Sequence, residues 1–340
     1  MHLGRKYKLT EYLIWTRWEI AYLGSWSFLV TALLFVTHSH SLSMPAPLLA
    51  IIGTAVAFVL AFKNQQCYAR VSEALAIWGQ INSACMILAN KLAVTVGHPD
   101  AGQSNARLKE MFYRQFAWLT SLRFFLRARK PWENTFEPGN AKFLAELPTP
   151  ESQSALDQEL AKYLSDAELH AVIGYRGDRE ALLLHRQYRV IGDLYGKETI
   201  SPSIFLSLTN ALDDLVRLQG AAKRIKNYPY ARNYYSITLI LVKAFVGMMP
   251  FGLYQYFYDL GKSEGLELWT AWLNIPFSIF VGWAFLTLEK VGENSSNPFE
   301  GGPNDVPISF LSRRIEIEMR TMLGENSDLK PIEPKYGILF

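Results

Sequence analysis

The stretch "GTAVAFVLAFKNQQCYARVSEALAIWG", Gly53–Gly79, carries no charge over its first ten residues and then turns polar within one helical turn, at Lys63, Asn64, Gln65 and Gln66. Read as a helix, it places Thr54, Phe58 and Phe62 at successive i, i+4 positions, on one face, at the point where the apolar run ends. A helix that crosses from an apolar to a wet environment with two aromatic rings aligned on one side poses the question that organises the chain.

The chain of 340 residues is 50% hydrophobic, 14% aromatic and only 19% charged. Its mean hydropathy is +0.05, a balance that suits a protein partly in lipid and partly in water. A net charge of +3 is too mild for a nucleic-acid binder, and no basic run alternates with stacking aromatics. The two cysteines, Cys67 and Cys85, have neither the spacing nor the neighbours of a zinc or redox site, and are read as buried thiols in a reducing compartment.

Four apolar stretches reach the ~20 residues that a membrane-spanning helix requires. They are Ile20 to Val36, Pro45 to Phe62, Ile237 to Phe257, and Trp269 to Leu288. The second is rich in Gly, Ala and Thr, small residues that let helices approach closely. The fourth has Pro276 in its middle and Trp toward both ends. A basic, aromatic leader with Arg5, Lys6, Lys8, Arg17 and Trp18 precedes the first, without the cleavage site of a removed signal peptide. The connection "THSHSLSMPA" has no Lys or Arg and "YDLGKSEGLEL" has one, so the rest of the chain holds the basic residues. The positive-inside rule then predicts both termini and residues 63–235 on the cytoplasmic side.

The region from Lys63 to Tyr235 shows apolar residues at helical spacing in several segments, predicting a helical cytoplasmic domain. The stretch "PWENTFEPGNAKFLAELPTPESQS", with Pro and Gly throughout, is read as a surface loop dividing it. The fold class is therefore all-α. It comprises a leader with two spans (1–62), a cytoplasmic helical domain (63–235), two further spans (236–289) and a cytoplasmic tail (290–340).

Two motifs carry a resemblance. "FKNQQCYARVSEALAIWG", with Asn64, Tyr68, Arg70, Glu73 and Trp78, resembles the segment after the second transmembrane helix of bestrophins, in particular the bacterial and plastid branch. "NPFEGGPNDVPISFLSRRIEIEM" is similar to that branch's Asp-Pro-Phe and Asn-Asp-Leu-Pro pattern, with Asn297 in place of the first Asp and Val306 in place of the Leu. The resemblance implies a homopentameric ion channel of the bacterial inner membrane with one axial pore. Its second transmembrane helices form a hydrophobic neck, and most members conduct anions such as chloride. On that basis Thr54, Phe58 and Phe62 are the neck positions, the alternative being ordinary helix–helix packing. A dry apolar ring gates by dewetting, and Phe edges favour anions where faces favour cations.

Lys63 and Arg70 are the candidate charges at the pore mouth, with Glu73 as an alternative internal partner for Arg70. Ser203 aligns with the residue that closes the cytosolic aperture in the family, with Ile200 and Ile204 as neighbours in the register. Eukaryotic bestrophins carry an acidic calcium clasp after the fourth span. Here "EKVGENSSNPFE" scatters Glu289, Glu293 and Glu300 among Asn and Ser, so no calcium dependence is expected.

The remaining features read blandly. His38 and His40 lack further ligands for a metal site, and Lys243 is read as reaching toward the cytoplasmic interface. Neither a phosphate loop nor a nucleophile elbow is present, so neither an enzyme nor a cofactor is expected. A cation-selective channel of the same architecture and a non-conducting membrane scaffold stay open as rivals.

Overall fold

The computed structural model describes residues 1–37, 44–96, 102–325 and 329–340. His38 and His40 lie outside them. The chain is all-helical: α1 (Leu9–Trp15), α2 (Arg17–Thr37), α3 (Ala46–Thr95), α4 (Gly102–Arg127), α5 (Pro138–Glu146), α6 (Pro150–Gln153), α7 (Leu156–Leu160), α8 (Asp166–Ile173), α9 (Arg179–Gly196), α10 (Pro202–Asn227), α11 (Arg232–Lys262), α12 (Glu267–Thr270), α13 (Asn274–Asn294) and α14 (Ile308–Met322). Among the described residues, four helical segments are long and apolar enough to cross a membrane: Arg17–Thr37, Ala46–Thr95, Arg232–Lys262 and Glu267–Asn294. They contain the four apolar stretches read from the sequence, except that the second segment begins one residue after Pro45.

Two units divide the chain, one of residues 4–69 and 230–296, the other of residues 1–3, 70–229 and 297–340. In the first, α13 packs against α2 and α11. Small residues set how closely the helices approach. A Cβ on Gly53 would sit 2.9 Å from the Phe245 ring, and one on Gly282 would sit 2.7 Å from Leu23. The core here comprises Leu23, Leu49, Val56, Leu60, Val242, Phe245, Val246 and Met249.

Proline placement follows from hydrogen-bond supply. Pro276, read from the sequence as mid-span, falls in the first turn of α13 after a short 3-10 turn, Ala271–Leu273. There its missing N–H would have had no partner in the helix anyway. Pro250 lies inside α11. Neighbouring side chains bond the carbonyls of that stretch, with Trp26 Nε1 donating to Gly247 O at 3.0 Å and Asn274 Nδ2 donating to Pro250 O at 3.0 Å.

The second unit is built around Trp78, Trp118, Phe112 and Phe116, each almost wholly buried. Trp118 Nε1 donates to Gln219 Oε1 at 2.7 Å, which satisfies the one polar atom of a buried indole. Cys67 in the first unit and Cys85 in the second are buried and form no disulfide, and burial pushes the Cys85 thiol up to about 12.

The Pro-rich stretch 131–154 is not a loop. Pro138 and Pro150 stand at the first positions of α5 and α6, where proline is favoured. The stretch also delivers Glu133 and Glu151 to the interior. Glu133 takes the ammonium of Lys226, while Glu151 accepts from Arg123 Nη1 at 2.5 Å and from Ser309 Oγ at 2.7 Å. Burial opposes ionisation of Glu151, but the guanidinium groups of Arg123 and Arg127 hold its carboxyl below the ordinary value.

Candidate functional site

Two faces of α3 behave differently within the first unit. Gly53, Val56, Leu60 and Lys63 continue one buried face at spacings of three and four. Thr54, Phe58 and Phe62 lie on the other, with Phe58 62% and Phe62 68% exposed. Thr54 Oγ1 donates back to Ala50 O at 2.8 Å, so the hydroxyl is satisfied without a partner helix. Inside this chain the neck candidates are therefore not packing residues.

Lys63 goes the opposite way from the sequence reading. Three and seven residues from Leu60 and Val56, it shares their buried face, and its side chain is 1% exposed. Its Nζ lies 2.5 Å from Glu289 Oε1 and 4.6 Å from the centre of the Tyr235 ring. Tyr235 Oη donates to Glu293, one turn beyond Glu289. The charge of Lys63 is thus met within the chain. Next to it, Asn64 Nδ2 donates to Leu288 O at 3.0 Å. Gly292 admits that amide, since a Cβ there would come within 1.9 Å of Asn64 Oδ1.

These contacts mark a level. Lys63 is the residue after Phe62, and Glu289 is the residue after Leu288, so two apolar stretches end side by side. Lys290 Nζ reaches Glu19 Oε1 at 2.5 Å, and Glu19 immediately precedes the first apolar stretch at Ile20. Tyr235 stands just before the third, at Ile237. Polar contacts from α13 therefore join the corresponding ends of all four apolar stretches.

In the second unit, Arg70 Nη2 donates to Ile225 O at 3.0 Å and to Tyr228 O at 2.9 Å, bonding carbonyls at the C-terminal end of α10. Glu73, offered by the sequence as its partner, pairs with Arg224 at 2.5 Å. Of the aperture candidates, Ile200 is buried, Ile204 packs partly against the core, and Ser203 is exposed in the first turn of α10. Its Oγ lies 2.9 Å from that of Ser201.

The residues after α13 hold further polar chemistry in the same unit. Asp305 Oδ2 accepts from Gly301 N at 2.7 Å and Gly302 N at 2.9 Å. Gly301 has a φ of +97°, a conformation that favours glycine. Glu300 Oε1 accepts from Asn297 Nδ2 at 2.7 Å and Asn134 N at 3.2 Å. Among the described residues, no group of three or more His, Cys, Asp or Glu side chains is placed to hold a metal ion.

Sequence comparison decides the family. The family model described as "Bacterial/Fungal Bestrophin protein" matches residues 14–321. The chain belongs to the bacterial and fungal bestrophin family. Among its relatives is a Salmonella typhi protein named "Voltage-dependent anion channel-forming protein YneE". The two are 28% identical over 278 residues, covering 81% of this chain and 76% of the relative. A Ralstonia nicotianae protein, also named as a voltage-dependent anion channel-forming protein, is 23% identical over 330 residues, with 93% and 94% coverage. The fold of this bestrophin is similar to that of a bacterial bestrophin homologue from Klebsiella pneumoniae, with a TM-score of 0.72 at 19% identity, covering 91% of this chain and 99% of the other.

Sequence reasoning missed Glu289, Glu293 and Tyr235 as partners of the α3 boundary. A signal was present: three of the four apolar stretches are flanked at this same level by one ionisable residue, Glu19, Lys63 or Glu289.

Proposed function

We propose that this bestrophin is a homopentameric channel of the bacterial inner membrane that passes anions, chloride above all, passively through a neck lined by Thr54, Phe58 and Phe62. One observation carries the reading: at the end of an apolar stretch, α3 presents Phe58 and Phe62 outward, each more than three-fifths exposed in the chain. A ring of such faces around an axis makes a narrow dry passage that an ion enters only by shedding water. The names of the curated relatives support anions as the cargo. Since Glu289 cancels the charge of Lys63, selectivity rests on the neck rings rather than on that cation.

The common level of the four helix ends supports four crossings, with residues 63–235 and both termini on the cytoplasmic side. Of its register set Ser203 is the exposed side chain, the one available to line a second, wet aperture.

Purified protein in liposomes tests the proposal. Chloride-dependent flux is the expected result. Sodium- or potassium-dependent flux identifies a cation channel of the same architecture, and silent, well-formed oligomers identify a scaffold.

A further inference from the structure

We infer that the buried Lys63–Glu289 pair is a positioning strut for the neck, holding α3 in the rotation that presents Phe62. The inference rests on the channel reading for its functional consequence. Its structural basis is independent of it.

Three observations combine. First, Lys63 and Glu289 are 1% and 6% exposed, so neither charge has solvent as an alternative, and each must find the other. Second, the attachment is doubled at successive residues: Lys63 holds the Glu289 carboxylate, and Asn64 holds the Leu288 carbonyl inside the space that Gly292 leaves. Two bonds from successive residues of α3 to successive residues of α13 constrain both the rotation and the height of α3, which apolar packing alone does not. Third, the bonds sit one and two residues from Phe62, whose side chain is largely exposed in its own chain. Rotation of α3 about its axis therefore moves Phe62 directly.

The ammonium is itself braced. The Tyr235 ring of α11 lies over it, and the Tyr235 hydroxyl donates to Glu293 of α13. Neither Lys63 nor Glu289 touches the permeating ion in this scheme. They act through Phe62.

The test uses the full-length protein in planar bilayers with three variants: Lys63→Met, Glu289→Gln and the exchanged pair Lys63→Glu/Glu289→Lys. Each single variant is expected to change unitary conductance or the chloride-to-sodium permeability ratio by about two- to fivefold, and the exchange to restore it. A second readout needs no current: the labelling rate of Gln65→Cys, one turn past Phe62, with Cys67 and Cys85 buried and silent. It should change in the single variants and return in the exchange. Folded single variants with parental conductance and parental labelling overturn the strut, as do variants that only lower the melting temperature. If Lys63→Met does not assemble, the exchanged pair decides alone, because parental conductance supports the strut and altered conductance in an intact oligomer overturns it. A parent without current whose Gln65 labelling still follows the pair overturns the channel reading and supports the positioning of α3.

Discussion

Asn297 Nδ2 donates to Glu300 Oε1 at 2.7 Å, so a neutral amide holds this half-buried carboxyl while the nearby Lys226 is engaged by Glu133. Burial, then the negative charges of Asp305 and Glu133, push the Glu300 carboxyl up to about 8 from an ordinary 4.5. The folded state therefore binds a proton that the unfolded chain has already released between those values. Stability from this group is complete below pH 4.5 and is lost as pH rises through 8. Glu300→Gln keeps an uncharged side chain of the same shape. It should flatten the fall in stability across this window, by about 1.4 kcal/mol per pH unit at most, and melt higher than the parent at pH 8. Melting curves of both proteins from pH 5 to 9 check this.

Truncation of the neck separates lining from packing. Phe58→Ala and Phe62→Ala should raise unitary conductance, and because both rings are exposed in the chain, each should cost no more than about 1 kcal/mol of stability. Intact oligomers with unchanged current in both variants would remove these rings from the pore. Loss of the oligomer would assign them to contacts between copies.

Sidedness is measurable with single cysteines. Ser263 and Ser165 are both exposed in the structure, so labelling there reports which side of the membrane they occupy rather than whether they are buried. An impermeant thiol reagent added to intact cells should modify Ser263→Cys and spare Ser165→Cys. Ser41→Cys, outside the described residues, should behave like Ser263→Cys. Modification at Ser165 would reject the cytoplasmic placement of residues 63–235.

Calcium should be dispensable. Glu289 and Glu293 are committed to Lys63 and Tyr235 in one unit, and Glu300 is held by Asn297 and Asn134 in the other. Calcium asks for ~6–8 converging oxygens. Currents across a bilayer should persist when a chelator removes calcium from the cytosolic side. Reversible silencing that Glu293→Gln abolishes would overturn this.

What the sequence made legible follows from how local each cause is. Apolar length is a property of consecutive residues, so the four stretches were readable, and so was the shared face of Thr54, Phe58 and Phe62. Partners far apart were not. Arg70 has Glu73 within one turn, and only the fold reveals that its guanidinium donates to the carbonyls of Ile225 and Tyr228. Lys63, one residue past an outward face, read as facing the same wet region, yet a 100° step placed it on the buried side. Proline misled in the stretch 131–154. Pro138 and Pro150 read as loop residues, whereas in the first turn of a helix the missing N–H costs nothing.

The Lys63–Glu289 pair also has a consequence in time. Its members are 226 residues apart in the chain. At roughly 5–20 residues per second, the ribosome delivers Lys63 about 10 to 45 s before Glu289 exists. Throughout that interval α3 carries a lone ammonium at the end of its apolar stretch, beside a face shaped to be buried. Final seating of the second span therefore waits for the fourth. The helix that carries Phe58 and Phe62 is among the first to be made and among the last to be locked.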